Sequence, residues 1–189
     1  METETGAEFI DAAHVRHIMR YVNAAKLLDK NDIVLDAACG TGYGSKILAE
    51  HCHSVIGVDS SNEALEEARK DKSPRCQFVQ ADLLTSSLGS IHKIISIETI
   101  EHFTRENGQR LLNNFYKWLG RPGTLIISTP YCLQSGPSPI TKQHLWEYSL
   151  TDFEQALSLS GFNVEHIEIN RHEGKAGRLG YCLAKAVKR

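Results

Sequence analysis

The densest group of chemically capable side chains lies in Ile97-Glu98-Thr99-Ile100-Glu101-His102. If a helical turn begins here, Glu98, Glu101 and His102 stand at i, i+3 and i+4 and share one face. Two carboxylates and an imidazole converging in this way form a donor set for a divalent metal ion. The same residues admit plainer roles. His102, with Glu101 beside it, can manage a proton as a general base, or it can be a packing and hydrogen-bonding residue. Glu98 can touch a bound cofactor, and Glu101 can face solvent.

The segment follows an apolar strand, His92 to Ile97, and other strands end in the same way. Ile33 to Gly44 reads I-V-L-D-A-A-C-G-T-G-Y-G. Ile33, Val34 and Leu35 form a run suited to a strand buried on both faces. Asp36 ends it, and Gly40, Thr41, Gly42 and Gly44 form a tight turn before a helix expected over Ser45 to His51. Dinucleotide-binding turns follow G-x-G-x-x-G, but here Ser45 holds the place of the third glycine. Val55 to Val58 is a second strand ending in Asp59, and Ser60 with Glu63 forms a capping box for the next helix. An acid at that point of a βαβ unit can accept both ribose hydroxyls of an adenosine. Phe78 to Leu83 is a third strand that carries Asp82 at its end.

The loop D-x-x-C-G-x-G-x-G, Asp36 to Gly44, resembles motif I of the class I S-adenosylmethionine (SAM) methyltransferases. Asp59, Asp82 with Leu83, and R-P-G-T-L-I-I-S-T-P from Arg121 to Pro130 extend the resemblance along nearly the whole chain. It implies SAM as cofactor and S-adenosylhomocysteine as product. Gly40, Thr41 and Gly42 would approach the donor's methionine portion, Asp59 would hold ribose, Asp82 would face the adenine amino group, and Leu83 would offer a backbone N–H. Asp36, Ser60 and Glu98 complete the implied cofactor set. His17, Arg20 and Tyr21 resemble a segment that closes over the donor, where Arg16 or Arg20 could pair with its carboxylate.

E-x-x-E-H in this place also resembles two metal-dependent branches, the ubiquinone-biosynthesis O-methyltransferases and the 3′-terminal RNA ribose 2′-O-methyltransferases. The RNA branch uses a second histidine from a later segment, and His144, in K-Q-H-L-W-E-Y-S, could reach the same edge. The implied metal set is then Glu98, Glu101, His102 and His144. The expected activity is methylation of oxygen on a small hydroxylated metabolite or glycan, with a terminal RNA ribose as the alternative acceptor. The rivals are a SAM-binding module without transferase activity and a dinucleotide-dependent oxidoreductase. The glycine spacing and Asp82 speak against the latter.

At 189 residues the chain has the size of one domain, residues 1–189, led by a capping helix over about 11–28. Val15, Ile18, Met19, Val22 and Ala25 are the expected apolar side of that helix. Strand-like and helix-like segments alternate, with a helix capped by Thr104 and another opened by a Thr151/Glu154 capping box. Two closing strands, Phe162 to Ile169 and Tyr181 to Val187, complete the pattern. It predicts an α/β fold, a doubly wound Rossmann-like sheet with helices on both faces. The resemblance gives seven strands in the order 3-2-1-4-5-7-6, with strand seven antiparallel. A formal charge of −2 argues against a broad basic surface for nucleic acid; Arg171, His172, Lys175 and Arg178 could still form a local patch. Five scattered cysteines without a C-x-x-C pair fit free thiols in a reducing cytosol. With no signal sequence or membrane span in view, a cytoplasmic protein without membrane contact is expected. The Tyr131 to Tyr148 stretch could line an acceptor site, and a partner protein or homo-oligomer could complete it.

Overall fold

The computed structural model describes residues 12–171 and 178–188. Its elements are α1 (Ala12–Ala25), β1 (Ile33–Ala37), α2 (Tyr43–Ala49), β2 (Ser54–Asp59), α3 (Asn62–Lys70), β3 (Cys76–Gln80) and β4 (Ile91–Ile97). A 3-10 turn (Ile100–His102) precedes α4 (Arg105–Trp118), β5 (Leu119–Cys132), β6 (Tyr148–Ser149), α5 (Leu150–Leu159), β7 (Asn163–Arg171) and β8 (Arg178–Lys188). The sheet runs β3-β2-β1-β4-β5-β8-β7, with β6 paired to β5 alone. Strands β1 to β5 are mutually parallel, and β8 is antiparallel to both β5 and β7. This is the expected order, with one two-residue strand added.

Strict alternation along the central strands builds a core on each side of the sheet. Leu35, Ile94, Leu125 and Ile127 point to one side with Leu111, Leu112 and Phe115 of α4 and Phe153 and Leu157 of α5. Val34, Ile95, Ile97 and Ile126 point to the other, with Tyr21, Ala24 and Ala25 of α1 and Leu48 and Ala49 of α2. Both faces are covered, so these strands read as continuous apolar runs rather than alternating ones. Among the described residues no helix is long and apolar enough to cross a membrane.

Three local expectations are corrected. The inward stripe of α1 is Arg20, Tyr21, Ala24 and Ala25, whereas Val15 and Met19 face outward. A buried arginine and tyrosine with polar partners take the place that a count of aliphatic residues gave to Val15 and Met19. The cap of α3 is Ser61, which accepts from the Ala64 N–H, so Ser60 is released to the loop. The cap of α5 is Ser149 rather than Thr151, accepting from the Asp152 N–H. Thr104 caps α4 as expected. Asp11 of the expected capping helix, and His172 and Lys175 of the basic loop, lie outside the described residues.

Candidate active site

Parallel strands of one hand present their carboxyl ends on a single edge, and the loops after β1, β2, β3 and β4 surround a cavity there. Its volume is about 570 Å3, and its wall includes Gly40, Thr41, Asp59, Ser60, Asp82, Leu83, Glu98 and His102. His17, Tyr21, Cys39 and Tyr43 line it as well. The volume lies in the range of small-molecule sites.

Asp59 ties two of these loops together. Its two carboxylate oxygens accept from the Gly40 N–H at 2.8 Å and the Ser61 N–H at 2.9 Å. One carboxylate thus ties the turn after β1 to the turn after β2, and each oxygen retains a lone pair for a ligand hydroxyl. Asp82 turns back on its own chain, accepting from the Leu84 N–H at 2.7 Å and the Thr85 N–H at 3.2 Å.

Two of the expected cofactor residues stand behind the cavity wall. Asp36 is 0% exposed and accepts from Tyr21 Oη at 3.2 Å and Ser45 Oγ at 2.6 Å. Burial raises its pKa to about 6, against the pull of those two hydrogen bonds. It holds the end of β1 to α1 and α2. Gly42 sits at φ +76°, and a Cβ there would meet Phe78 at 2.7 Å and Ala68 at 2.8 Å. Its role is the turn and close packing. Gly44 is equally constrained, since its Cβ would lie 2.2 Å from the Tyr21 ring.

Helix α1 closes over this edge. The Nδ1 of His17 and the hydroxyl of Tyr43 are hydrogen bonded across the cavity mouth. Burial, and then Arg20, lower the His17 pKa to about 4, so the ring is neutral at physiological pH. The structure distinguishes the two candidate arginines: Arg16 is exposed, whereas Arg20 is buried and pairs with Glu98 at 3.1 Å. Glu98 also accepts from Ser128 Oγ at 2.9 Å.

The turn after β4 separates the residues of the E-x-x-E-H segment. Glu98 adopts φ +50°, which turns it toward Arg20 and the cavity. Glu101, His102 and His144 instead come together, with one ligand atom from each lying within 4.8 Å of the others. The imidazole rings of His102 and His144 are 4.9 Å apart, edge to face. Glu101 is 0% exposed; its Oε2 accepts from Thr129 Oγ1 at 3.2 Å, and its Oε1 is buried without a hydrogen-bond partner among the described residues. Burial, then the neighbouring Glu98, raises its pKa well above the usual carboxylate range. His102 Nδ1 donates to the Gln143 carbonyl at 3.0 Å. Desolvation lowers its pKa; that carbonyl opposes the shift and His144 adds to it.

The loop reaches this place because the Glu101 carbonyl accepts from the N–H groups of Leu145, at 2.8 Å, and Trp146, at 3.2 Å. Thr129 and Glu147, which hold Glu101 and His144, are polar residues inside apolar segments of the sequence. That contrast was the available signal for them. Ala38, at φ +63° on the cavity wall, carries no signal in its residue type.

Residues 34–123 match a methyltransferase domain family. A "probable S-adenosylmethionine-dependent methyltransferase" of Mycobacterium tuberculosis is 30% identical over 152 residues, covering 78% of this chain and 54% of that one. A phosphoethanolamine N-methyltransferase of Plasmodium falciparum is 32% identical over 144 residues, covering 73% and 51%. The chain therefore spans about half the length of these curated relatives. The crystal structure of a magnesium protoporphyrin IX methyltransferase from Synechocystis with bound S-adenosylhomocysteine superposes with a TM-score of 0.76 at 18% identity, covering 99% of this chain and 90% of that one. That likeness establishes the fold, a Rossmann-like sheet with helices on both faces. Residues 34–123 are thus a methyltransferase domain by family match, and the chain is similar in sequence to SAM-dependent methyltransferases.

Proposed function

We propose that this chain transfers the methyl group of SAM to an oxygen nucleophile, assisted by a divalent metal ion held by Glu101, His102 and His144. The observation that carries the reading is the double position of His102, which lines the donor cavity and belongs to the carboxylate–imidazole cluster. The donor set suits a transition metal, with one carboxylate and two imidazoles. The unpartnered, buried Oε1 of Glu101 fits it too, since a carboxylate oxygen left so is costly without a cation or proton.

A sulfonium donor bound in the cavity supplies an activated methyl group, so the protein's task is mainly positioning. Asp59 and Ser60 would hold the ribose, Asp82 and Leu83 the adenine, and Gly40 and Thr41 the methionine portion. Glu98, fixed by Arg20, faces the same cavity. A metal ion at the cluster would supply Lewis acidity that lowers the pKa of an acceptor hydroxyl. Because His102 donates through Nδ1, its Nε2 lone pair is directed to the cluster or to an acceptor proton.

The favoured acceptor is a small hydroxylated metabolite or a glycan. A terminal RNA ribose is the second reading, supported by the placement of His144 against His102. A nitrogen acceptor, as in the name of the Plasmodium relative, has less need of a metal. The test is labelled methyl transfer from SAM into cell extract, divided into small-molecule and macromolecular fractions, with and without a chelator. Chelator-sensitive label among small molecules is the expected result. Nuclease-sensitive label would select the RNA reading, and chelator-resistant transfer would remove the metal. SAM binding without any transfer would leave a binding module, or a chain awaiting a partner.

A further inference from the structure

Glu147 has no part in the assignments above beyond holding His144, yet it is 3% exposed beside the cluster. Its Oε1 lies 2.9 Å from Nδ1 of His144. A carboxylate only accepts, so the imidazole proton sits on Nδ1 and the ring lone pair on Nε2. The backbone fixes the carboxylate in turn. Glu147 N–H donates to the Gly136 carbonyl at 2.8 Å, and Gly136 N–H donates to the Glu147 carbonyl at 3.0 Å. On its other side the segment is bonded to the Glu101 carbonyl through Leu145 and Trp146. Glu147 is therefore held between the strand-like bridge at Gly136 and the turn that bears Glu101 and His102.

The other two members of the cluster are backed in the same way. Thr129 holds one oxygen of Glu101, and the Gln143 carbonyl holds Nδ1 of His102. Each backing group comes from a different point in the chain, and each engages its partner at one atom. Outer partners of this kind set ring orientation and tautomer, and their loss lowers metal affinity by tens of fold.

We infer that Glu147 is the positioning residue for His144, fixing its tautomer and direction so that its Nε2 meets Glu101 and His102. The inference rests on the metal reading of the cluster, and its test separates the two. Calorimetric titration with Mn2+ alone would compare the wild type with Glu147→Gln, His144→Ala and Glu101→Gln, with SAM affinity measured in parallel. The Gln variant keeps the shape and removes the charge. Its Mn2+ affinity is expected to fall at least tenfold while SAM affinity holds. Loss of Mn2+ binding in His144→Ala and Glu101→Gln, with Glu147→Gln unchanged, would overturn the role of Glu147 and keep the site. A wild type that takes up no Mn2+ would overturn both. A second measurement needs neither metal nor variant: nitrogen-15 NMR of the wild-type rings should show His144 protonated at Nδ1. Protonation at Nε2 would also sink the inference.

Discussion

Arg20 of α1 and Glu98 of the turn after β4 meet at 3.1 Å, with side chains only 10% and 12% exposed. The pair joins helix α1, which lines the cavity, to the turn that carries Glu101 and His102. Arg20 also lies over the Tyr181 ring, 4.4 Å from its centre, and so reaches β8 as well. Removing one member of such a pair leaves the other charge buried. Arg20→Ala should cost about 3 kcal/mol of stability, whereas the double variant Arg20→Met/Glu98→Leu should lose much less. Urea unfolding of the three proteins measures this. Equal losses would show that the pair has no special weight.

Asp59 binds two backbone N–H groups from different loops, so its loss loosens the turn and, on the proposed reading, removes the ribose contact. Asp59→Ala should weaken SAM binding by at least about tenfold, the worth of one charge-assisted hydrogen bond. Calorimetric titration with SAM is the measurement. Unchanged affinity would overturn the donor assignment.

His102→Ala should keep donor affinity near that of the wild type and abolish turnover, since the cavity retains its other walls. Equilibrium SAM binding and single-turnover transfer separate the two effects. Turnover that survives would exclude His102 both as a metal ligand and as a general base.

The buried Asp36 gives a pH signature. Its folded pKa, about 6, is raised above the ordinary 3.8. Its contribution to stability is therefore fully present below about pH 4 and is lost as pH rises through 6. The difference amounts to about 3 kcal/mol at neutral pH. Asp36→Asn cannot ionise, so the wild type should lose stability relative to it between pH 4 and pH 6. Thermal melts of both proteins across that range would show the crossing, and parallel curves would contradict it.

Gly44 and Tyr21 define a contact that admits no side chain. Gly44→Ala should destabilise the protein by about 1–3 kcal/mol, as overpacking does. Combining it with Tyr21→Leu should restore part of that loss, which thermal denaturation would detect. Additive losses would mean that the two sites do not touch.

Much of the fold was legible because the central strands are apolar on both sides and end in polar, glycine-bearing turns. The order of β1 to β5 and the antiparallel β8 followed from that pattern and the family resemblance. Helix α1 was less legible: burial of Arg20 and Tyr21 depends on Glu98, Asp36 and Tyr181, which no local periodicity reveals. Cap positions slipped because Ser60 and Ser61, or Ser149 and Thr151, are chemically alike and the backbone path chooses between them. In the site, Asp59 and Asp82 could be placed from strand ends alone. Asp36 could be read as an acid but not as a buried one. Grouping Glu98 with Glu101 and His102 assumed a regular helical turn, and the positive φ at Glu98 breaks it.

The pairing of Tyr131 with Tyr148 and of Cys132 with Ser149 brings the two ends of the long connection between β5 and α5 together like a clasp. Within it, the residues between Gly136 and Gln143 can change in number at little entropic expense, because a closed loop's penalty grows only logarithmically with its size, whereas Gln143 to Glu147 are tied to the cluster. The sheet does not feel such a change, and neither do Asp59 and Asp82, which lie on the other side of β1. That segment between β5 and α5 can thus be lengthened or shortened as a cassette while the sheet and the turns after β2 and β3 stay as they are.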